Sequence, residues 1–297
     1  LGPNYLVVPV GFDPFGSSFG GGTFTGITLD PGSLTSQATL TSGRPVNTIG
    51  PVNIFETTGE SRYDALQLQL RGRFRRALQY QVAYTFSKSE DDVSDVFDLA
   101  GAPALPQNSR TFEGERGPSS FDARHRFSYN FIYDFPTFSN RSAAYRAFFG
   151  GFQLASTGQF QTGQPFTVNS LYDINLDGNL TDRLNSTTGL VQTGDRARPL
   201  QFTGANTFSL LAPIGSNGSV GRNTFRAGNL LDLNLAVIKK FAFSENRNIM
   251  FRMDIFNFIN RVNYGIPVRF LEAPGFGRAT DTVTPGRRIQ FALKFNF

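Results

Sequence analysis

The sequence lacks cysteine altogether and contains a single histidine, His125, among its 297 residues. Without cysteine, disulfide frameworks and thiolate metal sites are excluded. One histidine cannot build a multi-histidine metal centre, and no G-x-S-x-G nucleophile elbow accompanies it for Ser–His–Asp chemistry. We therefore expect no enzyme activity, and we interpret His125 as a polar residue at the rim, where a strand begins.

Long apolar runs are missing as well. No stretch approaches the roughly 18 consecutive apolar residues that a membrane-spanning helix needs, so a helical membrane protein is excluded. The net charge is only +5, which is modest for this length. The segment "RGRFRR" mixes arginine with phenylalanine as nucleic-acid binders do. However, Arg71 and Arg73 share one side of an alternating pattern, so we expect no nucleic-acid partner.

What the sequence does contain is apolar–polar alternation with a period of two residues, which predicts β-strands with two different faces. Phe and Tyr are frequent, with 32 and 9 residues, and they recur on the apolar side. In one segment, for example, Phe127, Tyr129 and Phe131 alternate with Ser128 and Asn130. The predicted strands lie in "ALQLQLRGRF", "LQYQVAYTFS", "RHRFSYNFIYDF", "GFQLASTGQF", "LLDLNLAVIKKF", "NIMFRMDIFNF" and "RRIQFALKFNF".

The connections between these strands alternate in length. Loops 88–120, 162–228 and 260–286 are long, and the others are short. Alternate connections of an antiparallel meander lie at the same end, so all long loops share one end. Transmembrane β-barrels have this arrangement, with short periplasmic turns and long extracellular loops. The predicted fold class is therefore all-β, an antiparallel up-and-down meander of about seven to eight strands from a large transmembrane barrel.

Two regions follow from this pattern. Residues 1–60 are expected to form an extracellular loop with at most one short strand near Tyr5, because Pro9 interrupts the extended segment there. Residues 61–297 are expected to form C-terminal barrel strands and their outer loops.

The two faces of the predicted strands differ in chemistry. The polar side carries Gln, Asn, Ser, Thr and Arg, which suits a wet lumen, and the aromatic-rich side is too continuous to be left in water. This pattern predicts the outer membrane of a Gram-negative bacterium. The predicted lumen-facing residues are Gln67, Gln69, Arg71, Arg73, Gln79, Gln81, Arg126, Asn130, Gln153, Gln159, Asp232, Asn234, Arg252, Asp254, Gln290 and Lys294.

Several blocks of this sequence resemble TonB-dependent outer-membrane receptors of the Oar-like type. They occur in the family's order from about Ser61 to Phe297, and their combination is specific. The resemblance implies a 22-stranded barrel plugged by an N-terminal domain, a size class known for outer-membrane transporters. The blocks are "SRYDALQLQLRGRFRRALQYQVAYTFSKSEDD", "RGPSSFDARHRFSYNFIYDFP", "GGFQLASTGQFQTGQPFTV", "FRMDIFNFINRVNYG" and "RRIQFALKFNF".

The resemblance also implies partners. Uptake would be powered by the TonB motor acting through the N-terminal region, and the terminal strand would be read by the barrel-assembly machinery. This chain shows about seven strands and neither plug nor TonB box, so we expect it to be the C-terminal third or so of such a receptor. Further expected partners are outer-membrane lipid, lipopolysaccharide and a substrate whose identity is open. The assembly-signal residues are Phe291, Leu293, Phe295 and Phe297.

One segment of the longest loop, "YDINLDGNLTDRLN", begins like a calcium-binding loop, D-x-N-x-D-G. Alternate oxygen ligands can wrap a hard cation. Position twelve is Leu184 instead of the bidentate glutamate, so the EF-hand pattern is broken. The alternative is an Asx-rich surface turn. The candidate calcium ligands are Asp173, Asn175, Asp177, Asn179 and Asp182; no other cofactor is expected.

The sequence contains three further charged segments. The acidic run "SKSEDDVSD" is a solvated face or a divalent-ion site next to lipopolysaccharide. Asp122 is expected to pair with the arginines that follow it, Arg124 and Arg126. Arg222 and Arg226 lie in a glycine-rich segment that we interpret as turn chemistry. The acidic residues of the run are Glu90, Asp91, Asp92 and Asp95.

Two other functions remain open. A passive porin or small structural barrel would need at least eight strands and an even number in a bacterial single-chain barrel. A secreted adhesin or glycan-binding β-protein would need its aromatic face buried against a second sheet. Energised transport is the first of the three hypotheses of function.

Overall fold

The computed structural model describes residues 56–75, 77–95, 105–108, 111–136, 138, 140–177, 179–243 and 247–297. The expected strand near Tyr5 and most of the expected extracellular loop of residues 1–60 lie outside these ranges. The described residues form one long antiparallel sheet at one end and a packed assembly of connections at the other.

Seven long strands and one short strand form the sheet, and each long strand is nine to fourteen residues long. That length suits a tilted crossing of a bilayer. The long strands are β1 (Ser61–Phe74), β2 (Leu78–Asp91), β4 (His125–Asp134), β5 (Phe152–Gln161), β10 (Leu230–Ala242), β11 (Asn248–Phe256) and β12 (Arg288–Asn296).

The strand order is that of a meander. The sheet runs β1-β2-β4-β5-β10-β11-β12, and every pairing is antiparallel. The predicted fold class is thereby confirmed. Within the described ranges, β1 and β12 each have a neighbour on one side only. The sheet is therefore open.

The remaining elements are short and belong to the connections. No helix among the described residues is long and apolar enough to cross a membrane. The elements are β3 (Gly117–Pro118), α1 (Ala143–Phe149), β6 (Pro165–Phe166), β7 (Leu190–Gln192), β8 (Leu200–Phe202), a 3-10 turn (Thr207–Leu210) and β9 (Phe225–Arg226).

The first long connection begins later than the alternation predicts. Strand β2 continues to Asp91, whereas the loop was expected from residue 88 onward. The extension is stabilised because Glu90 pairs with Pro118 and Asp91 pairs with Gly117 in β3. Half of the acidic run is therefore strand, because a short return segment completes its hydrogen bonding.

The strand register puts the predicted lumen-facing residues on one side of the sheet. Residues directly opposite each other in an antiparallel pair share a face. One row runs Arg71–Gln81–Asn130–Thr157–Asn234 across five strands. The parallel rows contain all the other predicted lumen-facing residues, from Gln67 to Lys294. We call this side the polar face.

The opposite side, the apolar face, is exposed over wide areas. Leu66, Leu68 and Leu70 on β1 are each more than half exposed, as are Phe291 and Leu293 on β12. A continuous apolar surface of this kind requires apolar surroundings. No second sheet covers it within the described residues, although the secreted β-protein reading requires one.

A glycine on the apolar face is covered by its neighbours. A Cβ atom at Gly158 would lie 2.3 Å from a ring atom of Tyr129 and 2.6 Å from a methyl group of Leu233. Both are its direct partners across the sheet. The aromatic ring of Tyr129 therefore lies flat over the strand where the glycine leaves room.

The large hydrophobic core lies in the connections and not in the sheet. We call the described residues of 105–124, 162–229 and 257–287 the loop cap. Its core residues come from two of the three long connections, and several are completely buried. They are Phe166, Val168, Leu184, Leu200, Leu210, Phe225, Leu271 and Phe276.

At the short-turn end, one lysine lies on the apolar face. Lys239 pairs with Phe152 and Phe251, which places it among aromatic side chains. Its Nζ donates a hydrogen bond to the carbonyl oxygen of Phe148 at 3.2 Å and another to that of Gly150. The Nζ atom also lies 4.3 Å from the ring centroid of Phe152. Lys239 thus binds the end of α1 to the sheet.

Truncation of the cap core tests its contribution. Leu184 is completely buried, so Leu184→Ala is expected to destabilise the loop cap by about 2–5 kcal/mol through lost contacts and a cavity. Native-state proteolysis of the protein in detergent measures this opening free energy. Val191→Ala, at a side chain that is 46% exposed, is the control. Equal protease resistance of the two variants would contradict the role of this core.

Candidate functional site

The middle of the polar face forms a depression of about 380 Å³. Its walls come from four neighbouring strands, β2, β4, β5 and β10. The polar side chains that line it are Gln81, Ser128, Asn130, Thr157, Gln159, Asp232 and Asn234. Five of these were predicted to face a lumen, and Ser128 and Thr157 complete the same rows.

Neutral hydrogen-bonding groups dominate this depression. The side-chain amide of Asn234 donates to Asp232 at 3.0 Å, and its Oδ1 accepts from the backbone N–H of Asn257 at 2.9 Å. The side chains of Gln81 and Gln159 make no hydrogen bond to another described residue. They can therefore bind water, a substrate or another protein segment.

A small apolar patch interrupts the polar face on the short-turn side of the depression. One row there reads Gln79, Ile132, Ala155, Ala236 and Asp254. The sequence pattern did not single out this patch, although Ala236 breaks the alternation of β10. The depression is therefore rich in amide side chains, and it borders a small apolar patch on its short-turn side.

His125 lies at the start of β4, as expected, but on the apolar face. Its Nδ1 is 2.8 Å from the hydroxyl oxygen of Tyr84. Its ring packs against that of Phe86, with 5.2 Å between the ring centroids. These partners are aromatic groups, so His125 is part of an aromatic cluster at the rim.

A buried ion pair joins the first long connection to the second. Arg183 Nη1 lies 2.9 Å from both carboxylate oxygens of Glu115, and both side chains are almost completely buried. Arg183 Nη2 also donates to the carbonyl oxygen of Gly114 at 3.1 Å. Burial of two charges is costly, and these hydrogen bonds offset part of that cost.

Two more arginines of the second connection hold the outer ends of strands. Arg222 donates to the carboxylate and the carbonyl oxygen of Asp91, and to Ser94 Oγ at 3.1 Å. Arg226 pairs with Asp122, whose other oxygen accepts from the backbone N–H of Ser89 at 2.8 Å. These contacts bind the loop cap to β2.

These pairings correct two expectations. Asp122 was predicted to pair with Arg124 and Arg126, but its partner is Arg226, which comes from a distant connection. Arg222 and Arg226 were interpreted as turn chemistry, but they form ion pairs with strand ends. Nothing local in the sequence marks these partners, because they are more than a hundred residues apart.

The acidic run at the end of β2 is largely neutralised within the protein. Asp91 is paired with Arg222, Glu90 lies 2.5 Å from Lys88, and Asp92 lies 3.6 Å from Arg116. Each of these carboxylates has a cationic neighbour in the described part of the chain. Three of the four acidic residues of the run therefore form ion pairs within the protein.

The candidate calcium loop folds as a compact acidic turn. The backbone N–H of Asp177 donates to the Oδ1 atoms of Asp173 and Asn175, each at 3.1 Å. The N–H of Asn179 donates to Asp177 Oδ1 at 2.9 Å. Asp182 closes the turn, because its Oδ2 accepts from the N–H of Ile174 at 3.0 Å. We call the described residues of 173–182 the acidic turn.

Burial and charge act together on Asp182. Removal of its carboxyl from water, together with the negative charges of Asp173 and Asp177, raises the pKa of Asp182 from 3.8 to about 7. Hydrogen bonds from the backbone amides of Ile174 and Asn175 oppose this shift. Within the described ranges, no three His, Cys, Asp or Glu side chains already have the arrangement of a metal centre.

Comparison with known families identifies one match. A family model described as an outer membrane beta barrel domain matches residues 22–290. The matched range contains β1 to β11, the loop cap and the start of β12. A comparison with curated proteins finds no match.

Removal of one partner tests the buried ion pair. Glu115→Ala leaves the guanidinium of Arg183 buried without its counter-charge, so the loop cap should lose about 3–5 kcal/mol. Asp64→Ala is the matched control, because Asp64 forms an exposed pair with Arg62 and its loss should have little effect on stability. Native-state proteolysis of the two variants measures the difference, and an unchanged cleavage rate for Glu115→Ala would refute it.

The pH dependence of the acidic turn follows from Asp182. In the unfolded chain this carboxyl titrates near 3.8, and in the native state at about 7. Between these values the native state binds the extra proton, so stability falls as the pH rises toward 7. In buffer that contains a metal chelator, Asp182→Asn should therefore make the loop cap more protease-resistant than wild type at pH 8. The gain in protease resistance should be smaller at pH 5. A gain of equal size at both pH values would contradict this.

Proposed function

The chain belongs to the outer membrane beta barrel domain family, and from that premise we propose that it forms part of the wall of a TonB-dependent transporter. Domains of this family lie in the outer membrane of Gram-negative bacteria, so the apolar face meets lipid and the polar face meets the lumen. The proposed function is energised uptake of a large substrate through a wide, plugged barrel.

The observation that carries this proposal is the open sheet. Strands β1 and β12 have one unpaired edge each within the described residues. A strand in hydrocarbon must pair on both sides, because an unpaired backbone has no water to bind there. Seven strands that remain open thus favour a barrel with many more members. Barrels of the 22-stranded class have a plugged lumen.

The chemistry of the polar face supports the same proposal. A plug that rearranges during transport must contact the wall without being held by it. Amide and hydroxyl groups, such as those of Gln81, Asn130 and Thr157, exchange hydrogen bonds with water at little net cost. The loop cap would contact the substrate outside, and the short turns would face the periplasm. No covalent step is required of any residue.

Membrane experiments distinguish this function from a passive porin. We expect the native protein in outer-membrane fractions to give a heat-modifiable band roughly three times the size of this chain, in line with the 22-strand class. Purified and placed in a planar bilayer, it should hold no steady open channel in potassium chloride, because the plug fills the lumen. In cells, the protein should cross-link to TonB.

The opposite results would identify a porin. A heat-modifiable band of the size of this chain alone, together with steady conductance, would contradict the transporter. Deletion of the inner-membrane motor is the matched control, since it should abolish the cross-link without changing the amount or the heat shift of the barrel.

A further inference from the structure

We propose that the acidic turn binds a divalent cation of the calcium class, with the carboxylates of Asp173, Asp177 and Asp182 as its charged ligands. The proposal does not depend on the transport function. It depends on one buried oxygen atom and on the charges that surround it.

The buried oxygen is Oδ1 of Asp182. Asp182 is only 1% exposed, and this atom makes no hydrogen bond with the part of the chain that the structure describes, whereas Oδ2 accepts from the backbone N–H of Ile174. Buried carboxylate oxygens are almost always paired, because loss of water without compensation is costly. A bound cation would provide the missing partner.

The surroundings of this oxygen are negative. Asp173 and Asp177 both act on Asp182 electrostatically, and Asp173 is itself 1% exposed. The arginine next in sequence, Arg183, does not neutralise them, because its guanidinium is bound to Glu115. Three carboxyl groups are thus held in one turn, and those of Asp173 and Asp182 are buried. Such concentrated negative charge is stabilised by a metal ion.

The neutral oxygens nearby complete a ligand set for calcium. Asn175 Oδ1 lies on the same side of the turn as Asp173 Oδ1, since both accept from the N–H of Asp177. Calcium takes six to eight oxygen ligands in flexible geometry, including amide and backbone oxygens. Magnesium requires near-ideal octahedral geometry, which a turn of this irregular spacing does not favour.

The turn differs from an EF-hand at one informative position. Leu184 occupies position twelve, and its side chain is completely buried in the core of the loop cap. The chain has therefore turned inward by the point where an EF-hand places its glutamate. Asp182, two residues earlier, projects back into the turn, so it takes the place of that glutamate.

Binding would draw the ligands together. The three carboxylates do not yet have metal-centre spacing, as expected for like charges that repel each other. A cation removes the repulsion, so closure of the ligands accompanies binding. The turn is also tied to the first connection, because Asn175 Nδ2 donates to the carbonyl oxygen of Gln107 at 2.7 Å. Calcium would thereby hold two connections of the cap together.

Terbium luminescence tests the site directly. Tb³⁺ takes calcium sites, and Tyr172, next to Asp173, can sensitise its emission. The whole protein in detergent is titrated with Tb³⁺ and the signal is competed with Ca²⁺ and, separately, Mg²⁺. We expect Asp182→Asn and Asp177→Asn to weaken binding at least about tenfold, since each removes a charged ligand while keeping its shape.

The control is Asp195→Asn, which alters an exposed aspartate in the same connection. This variant should bind as wild type does, and Ca²⁺ should slow proteolysis of the cap in wild type and in this control only. A heat shift on gels verifies that each variant is folded. Wild-type Tb³⁺ affinity in both turn variants, or competition by Mg²⁺ as effective as that by Ca²⁺, would overturn the proposal.

Discussion

A polypeptide that crosses hydrocarbon must pair every backbone N–H and C=O group within the protein, and the rest of this structure depends on that constraint. The long strands meet it by pairing in one continuous register. Once backbone pairing is complete, the side chains are free to differ between the two faces. The apolar face meets lipid, and the polar face meets water in the lumen.

The same constraint moves the hydrophobic core to an unusual place. In a soluble sheet protein the apolar face would be buried beneath a second layer, but here lipid takes that role. Clustered apolar side chains, such as Phe166, Leu200 and Leu271, are instead found in the connections, which lie in water. The hydrophobic effect thus stabilises the cap, while backbone pairing organises the wall. Arg222 joins the two parts through Asp91 at the end of β2, and Arg226 does so through Asp122, which accepts from the backbone of β2.

Alternation in the sequence was sufficient to predict the wall. Every second residue of β1, from Gln67 to Arg73, lies on the side that the pattern assigns to the lumen, because a strand allows only two directions for a side chain. The cap had no such periodic signal. Arg222 and Asp91 are brought together by the path of a long connection, and Asp122 finds a partner far from its sequence neighbours. The acidic turn lay between these cases: its D-x-N-x-D-G spacing was visible in the sequence, but the inward path of Leu184 was not.

Sharing one core has a consequence for how relatives of this chain can diverge. The outer connections cannot drift independently, because Phe225 and Phe276 pack in the same cluster from two different connections. Changes in length are tolerated where side chains leave the cluster, for example around residues 191–196 and 214–217. Selection by antibodies or phages would therefore act on these protruding tips, while the packed interior keeps the surface geometry constant from one lineage to the next.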